Sequence, residues 1–308
     1  MILIITHKLD FTADFLINKL NQQNIAYRRF NCEDVLTNDF SFSYNPHFNY
    51  SFLGQQDFKT VWFRRTMLPD VDMKSIEEKN YILKEAEAFL KNLFSVIDAK
   101  WISPPINVYH AENKLYQLKI AEKLGFKIPD TLITSNKSEL VRFYNRHDRI
   151  IVKPLSQTRI SSEGNVEFIF TNRVETLQMD KISEYDLTPC IFQEEIEKDV
   201  ELRITVVNNT VFTAQVKSQQ DNETKIDWRR KKLIFTRYEL PEPVQQLCVK
   251  MVKKLGLLFG AIDMIVSPDG TYTFLEINPN GQWVWIESET GLGISDALIK
   301  ELTDHGKI

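Results

Sequence analysis

Gly260-AIDMIVSPDGTYTFLEINPNG-Gln282 is the stretch whose reading decides the fold. Two apolar runs with β character flank Pro268-Asp269-Gly270, a turn signal. Taking Asp269-Gly270 as the two turn residues pairs 268 with 271, 265 with 274 and 263 with 276. Asp263 and Glu276 then face each other on adjacent strands, where opposed like charges repel. Asn278, two residues further on, shares their face. Two carboxylates and an amide converging on one spot make a hard-oxygen site. That suits Mg²⁺, which completes its shell with water and substrate phosphates. The alternative is an exposed face with two solvated acids. The neighbours Ala261, Ile262, Met264, Phe274, Leu275 and Ile277 are apolar and favour the buried site.

Upstream, Cys190–Ile196, Glu201–Val207 and Val211–Lys217 read as strands, with Asn208-Asn209 as a turn pair. Glu201 and Arg203 alternate out of an apolar run onto one face. They read either as groups for a ribose hydroxyl and a phosphate or as an exposed ion pair. Lys153, in the strand Ile150–Pro154, either snorkels to solvent or fixes a positive charge for an anion. Residues 156–165 read as a polar loop, followed by a strand over Val166–Phe170. The spacing of Val244, Leu247, Cys248, Met251, Val252 and Leu255 predicts a helix over Pro241–Gly256, with Cys248 in the core. A last helix covers 294–303.

The first hundred residues alternate strands (Ile2–Thr6, Ile25–Phe30, Thr60–Phe63) with helices (Asp10 or Thr12 to Leu20, and 74–95), which argues a parallel or mixed sheet. Phe11, Phe15 and Leu16 are placed on one side of the first helix, and 37–58 form a hairpin or ordered loop. Ile102-Ser-Pro-Pro-Ile106 breaks the chain. Helix 112–124 follows, with Leu115, Leu118, Ala121 and Leu124 inward and Gly125 as its stop. Another helix covers Ser138–His147. The expected division is 1–101, 102–186 and 187–308. The fold class is α/β (α+β).

The chain has 308 residues, 43% hydrophobic and 26% charged, with net charge −4. This excludes disorder and argues against a general nucleic-acid binder. No run reaches the roughly 20 apolar residues that span a bilayer. Cys32, Cys190 and Cys248 are odd in number and far apart, which points to no disulfide framework and to a reducing cytoplasm. Neither a P-loop nor a dinucleotide fingerprint occurs. His7, His47, His110, His147 and His305 form no recognisable triad.

The order Asn113-Lys114, Lys153, Gln193-Glu-Glu-Ile196, Glu201-Leu-Arg203 and the D…E-I-N hairpin resembles the ATP-grasp superfamily. Val61-Trp-Phe-Arg-Arg65 and Asp227-Trp-Arg-Arg230 resemble the microviridin-type (graspetide) ribosomal-peptide maturases, or macrocyclases, within it. The resemblance implies an ATP-grasp fold with an N-terminal α/β domain and the nucleotide held between central and C-terminal domains. It implies that Lys114 and Lys153 contact ATP or ADP, that Gln193, Glu194, Glu195 and Ile196 grip adenine, and that Glu201 holds the ribose. Arg203 would reach the γ-phosphate, and Asp263, Glu276 and Asn278 would bind two Mg²⁺ ions. Arg229 and Arg230, with Arg64 and Arg65, would meet the substrate. Arg203, Arg229 and Lys153 would be catalytic.

The implied reaction activates Asp or Glu side chains of a ribosomal precursor peptide, leader plus acidic core, as acyl phosphates. Thr, Ser or Lys of the same peptide then closes ω-ester or ω-amide rings. The implied enzyme is a homodimer with no nucleic-acid or membrane partner. An exposed strand edge within 211–240 is the expected docking place for an extended leader. The alternatives are a RimK-like carboxylate–amine ligase, which adds a residue to a protein or small acid, and a nucleotide-binding regulatory module without turnover.

Overall fold

The computed structural model describes residues 1–73, 75–156, 159–162, 165–184 and 187–304. The expected boundary at 186, Gly164 of the polar loop, and His305 lie outside these residues.

The N-terminal segment runs β1 (Ile2–Thr6), α1 (Phe11–Gln22), β2 (Tyr27–Asn31), β3 (Phe40–Tyr44), β4 (Phe48–Phe52), β5 (Thr60–Phe63), α2 (Ile76–Val96) and β6 (Lys100–Ile102). The parallel sheet has the order β2-β1-β5-β6, and β3-β4 is a separate hairpin. β1 is buried throughout, because parallel strands are covered on both faces. Asp10 caps α1 by accepting from the Thr12 and Ala13 amides. The buried side of α1 is Thr12, Ala13, Leu16, Ile17 and Leu20; Phe11 is exposed, so the expected apolar stripe is rotated.

Pro104 and Pro105 start a helix, α3 (Pro105–Ala111), where the sequence suggested only a break. Proline at the first helical position loses no hydrogen bond. α4 (Lys114–Leu124) follows, capped by Asn113 and ended by Gly125 at φ +87°. Leu115 is exposed, while Gln117, Ile120 and Ala121 are buried. The chain continues through β7 (Thr131–Ile133), α5 (Lys137–Arg146), β8 (Ile150–Pro154), β9 (Arg159–Ser162), β10 (Asn165–Phe168), β11 (Asn172–Arg173), α6 (Thr176–Asp180) and β12 (Cys190–Glu194). Part of the expected polar loop is thus a strand, β9, paired antiparallel with β10. The central sheet has the order β11-β8-β12-β7, so β12 joins this sheet rather than the one that follows.

The last segment holds β13 (Val200–Val207), β14 (Thr210–Val216), β15 (Thr236–Arg237), α7 (Glu242–Lys254), β16 (Phe259–Val266), β17 (Tyr272–Asn278), α8 (Val284–Thr290) and α9 (Ile294–Thr303). Its antiparallel sheet has the order β15-β14-β13-β16-β17. α8 was not foreseen. Cys248 is fully buried in α7, and burial pushes its thiol up to about 12, which makes it core. The open edge of β14 is taken at Ala214 and Gln215 by β15, and Tyr238 N–H donates to the Thr213 carbonyl. The outer strand within 211–240 is therefore β15, which is short and exposed, rather than β14. Among the described residues no helix is long and apolar enough to cross a membrane.

The edge strand β17 is satisfied by the chain N-terminal to the central sheet. Gln117 Nε2 donates to the Ile277 carbonyl at 2.8 Å, and the Ile277 N–H donates to Gln117 Oε1 at 3.0 Å. One side-chain amide thus supplies both missing ladder bonds. Residues 105–124, expected with the central unit, are bound in this way to the last sheet. Gln117→Leu would strand a buried N–H and a buried carbonyl. It should cost about 2–6 kcal/mol, at 1–3 kcal/mol per orphaned group, read from urea unfolding.

Candidate active site

The hairpin β16–β17 does place Asp263 opposite Glu276 and Ala261 opposite Asn278, but by a different path from the one expected. The turn holds three residues: the Ser267 N–H donates to the Thr271 carbonyl, and Gly270 sits at φ +81°. Ile265 therefore faces Thr273, not Phe274, and 271 faces 267, not 268. A bulge between the Met264–Phe274 and Asp263–Glu276 pairs skips Leu275 and restores the register. Bulges re-aim side chains beside active sites. Here Leu275, Glu276 and Asn278 all line one cavity of about 470 Å³.

Lys114, Lys153, Glu201, Arg203, Asp263 and Arg229 also line that cavity, as do all four residues 193–196. Arg203 Nη1 lies 2.9 Å from both Asp263 carboxylate oxygens. Lys114, the first residue of α4, donates to Glu276 Oε2 at 2.8 Å. A lysine at a helix N-terminus opposes the helix dipole, and the carboxylate offsets this. Asn278 Nδ2 donates to Glu276 Oε1 at 3.2 Å and to Asp263 Oδ2 at 3.3 Å, lying between the acids. Burial pushes the Asp263 carboxyl up, helped by Glu276 and resisted by Arg203. Burial opposes ionisation of Glu276 too, but Lys114 and Lys153 hold its carboxyl below the usual range. Burial pulls the Lys153 ammonium down, against the attraction of Glu276.

The donor set fits magnesium: two carboxylates and an amide, all hard, on one wall. Among the described residues no group of three or more His, Cys, Asp or Glu could hold a metal alone. Such a set needs oxygen from elsewhere, which phosphates and water provide.

The segment 193–196 is braced from behind. Glu195 Oε1 and Oε2 each accept from Arg173 at 2.6 Å. Glu194 accepts from the Asp130 N–H at 2.9 Å, and Gln193 Nε2 donates to Thr131 Oγ1. The two glutamates hold the segment in place with their side chains. Glu201 is buried, which pushes its carboxyl up against the pull of Lys198 at 3.0 Å. Lys198 was missed: it lies in the charged run Glu197-Lys-Asp199, indistinguishable in sequence from a solvated turn. Apolar walls from Ile151, Ile265 and Leu275, and the rings of Trp228 and Trp285, were also missed as site residues.

The four expected substrate arginines separate. Arg65 and Arg229 line the cavity; Arg64 and Arg230 do not. Arg229 Nε donates to Asp227 Oδ1 at 2.8 Å, and Asp227 caps the short helical turn 228–230. Arg230 is pinned elsewhere, to the Thr171 carbonyl and Asn172 Oδ1. Arg64 is 1% exposed and turned away from the cavity against Asp10. No histidine among the described residues lines the cavity.

Residues 111–302 match the RimK-like ATP-grasp domain family. A RiPP-associated ATP-grasp ligase of Chryseobacterium gregarium, solved with ADP and a leader and core peptide, is 30% identical. It superposes with TM-score 0.89 over 99% of this chain and 97% of that one. The macrocyclase MdnC of Microcystis aeruginosa, solved with precursor peptide MdnA, is 30% identical with TM-score 0.85, covering 98% and 99%. The tetrahydromethanopterin:alpha-L-glutamate ligase of Methanocaldococcus jannaschii is 23% identical over 67% of this chain and 71% of its own length. A cavity walled by opposed acids and clustered cations, on this fold and with these relatives, makes the chain a member of the RimK-like ATP-grasp family and an ATP-grasp ligase.

Proposed function

We propose that this ligase activates Asp or Glu side chains of a ribosomal precursor peptide and closes ω-ester or ω-amide rings within it. The observation that carries this reading is that two arginines far apart in the sequence, Arg65 and Arg229, both line the cavity that holds Asp263 and Glu276. Arg65 belongs to the segment before residue 111, which the family domain does not include but the peptide-bound ligases do.

In this reading the backbone of 193–196 holds adenine. Gln193 Oε1, buried without a partner among the described residues, keeps an acceptor for its amino group. Glu201 accepts from the ribose. Lys114, Lys153 and Arg203 face the phosphates, and Asp263, Glu276 and Asn278 would hold Mg²⁺. When bound, Mg²⁺ supplies charge neutralisation on the transferring phosphoryl group. Arg65 and Arg229 orient the peptide carboxylate, whose oxygen attacks the γ-phosphorus as ADP leaves. A hydroxyl or amine of the same peptide then attacks the acyl carbon, and phosphate leaves. Trp228 and Trp285 shield the acyl phosphate from water. A homodimer and two bound ions belong to this reading through the family resemblance, and a cytoplasmic setting through the three scattered cysteines.

The second reading, ligation of a separate amino acid, draws on the 23% identical glutamate ligase. Intact mass separates the two. With the precursor peptide encoded beside the gene, ATP and Mg²⁺, each ring should remove one water. A gain of a residue mass would replace this proposal with the second reading.

A further inference from the structure

Arg64 is the least expected residue near the site. It is 1% exposed, its Nε lies 3.3 Å from Asp10 Oδ2, and its guanidinium sits 5.4 Å from the Trp62 ring. Its Nη1 donates to the Asn280 carbonyl at 3.4 Å, and its Nη2 is buried without a partner among the described residues. A buried ion pair in which the arginine is so sparsely satisfied is a poor stabiliser: apolar residues in place of both Arg64 and Asp10 would often serve stability as well or better, whereas losing either alone leaves the other charge buried and uncompensated.

Its contacts indicate another use. Asn280 lies in the loop that leaves β17 directly after Asn278. The Gly281 N–H donates back to the Asn278 carbonyl at 3.1 Å, closing the loop. At its far end the Gln282 carbonyl accepts from Arg203 Nη2 at 3.3 Å, and the Gln282 side chain accepts from Thr12. Thr12 and Asp10 belong to the same N-terminal turn that anchors Arg64, and Asp10 also accepts from Thr6 Oγ1 at 2.7 Å. The loop 278–282 thus hangs between two arginines, Arg64 from the end of β5 and Arg203 from β13.

We infer that Arg64 is a positioning residue: through Asn280 it fixes the loop that sets Asn278 and the Gln282–Arg203 contact. The N-terminal sheet thereby tunes the phosphate and cation end of the site, and leaves the adenine end alone. The inference rests on the proposed cation-binding role of Asn278.

The test compares wild type, Arg64→Met and Arg64→Lys in two measurements. The first is hydrogen exchange of residues 279–284 in ligand-free protein. The second is ADP affinity by calorimetry, in EDTA and in Mg²⁺. Arg64→Met should speed exchange in this loop by a larger factor than in the rest of the protein, and should lower Tm because Asp10 stays buried without its counter-charge. It should keep its affinity in EDTA and lose roughly tenfold of the Mg²⁺-linked gain, the usual scale for groups supporting metal ligands. Arg64→Lys, which keeps the charge on Asp10 but not the fork, should fall between. Unchanged exchange and an unchanged Mg²⁺ gain in Arg64→Met overturn the inference. If Arg64→Met does not fold, the same result in Arg64→Lys does so. A wild type with no Mg²⁺-linked gain sinks the cation-site reading instead, and the exchange measurement then decides alone whether Arg64 holds the loop.

Discussion

Glu276→Gln should lower Mg²⁺-dependent ADP formation by about 10³-fold, the scale on which a fixed electrostatic partner of a transferring group acts. The substitution keeps volume and leaves an amide oxygen for Lys114 Nζ, now 2.8 Å from Glu276 Oε2. What it removes is charge. Glu276 is the acid that Lys114 and Lys153 keep ionised, while Asp263 is pushed towards its neutral form. With glutamine there, Asp263 is the one carboxylate left among Lys114, Lys153 and Arg203, and it is already committed to Arg203 at 2.9 Å. Tm should move by only a few degrees, about 2–4 °C per kcal/mol for a protein of this class. Unaltered turnover in a folded variant would remove Glu276 from the site.

Gly281→Ala should be nearly as damaging, through sterics rather than charge. A Cβ there would lie 2.5 Å from Ala261 Cβ, 2.8 Å from Arg203 Nη2 and 3.3 Å from Asn278 Cβ. The first contact cannot relax without moving β16. The second pushes the arginine off Asp263 or off the Gln282 carbonyl. Overpacking of this kind costs about 1–3 kcal/mol, and displacing Arg203 should remove about 10²-fold in ADP formation. Gly270→Ala is the control. A Cβ at Gly270 meets nothing within 4 Å, so its cost is only the φ of +81°, roughly 1–2 kcal/mol. Its activity should persist. Equal activity in the two variants would show that Gly281 is a matter of stability alone.

Most elements were legible because their patterns are local. The α7 stripe and the α9 limits follow from helical spacing, and capping chemistry offered Asp10 beside Thr12 for α1; the Asn113 cap of α4 was not read, since that helix was expected to start at 112. The opposed acids were found for a partly wrong reason. A three-residue turn and a skipped Leu275 each shift the pairing by one, in opposite senses. Neither leaves a mark in composition, because proline, aspartate and glycine serve both turn lengths. Phe11 and Leu115 were misplaced because the helix faces of α1 and α4 are chosen by what packs on them, and Thr12 and Gln117 are buried there for their hydrogen bonds. Arg64 and Arg65 are adjacent and chemically identical. On an extended segment their side chains leave in opposite directions, so one enters the interior and the other the cavity. No sequence pattern says which. Lys198, Trp228 and Trp285 reach the site only through chain folding.

The hairpin also constrains how such a chain can diverge. Loop length and bulge are separate characters, since residues opposed across an antiparallel hairpin share a face whatever the number of unpaired residues between them. A relative that lost one position from the Pro268–Gly270 bend, or the extra residue at Leu275, would still set the two acids opposite each other, because the pair Met264–Phe274 and the glutamate that follows it keep their partners. Single-residue gaps in alignments across this region should therefore fall at the bend or at the bulge, and need not be compensated elsewhere.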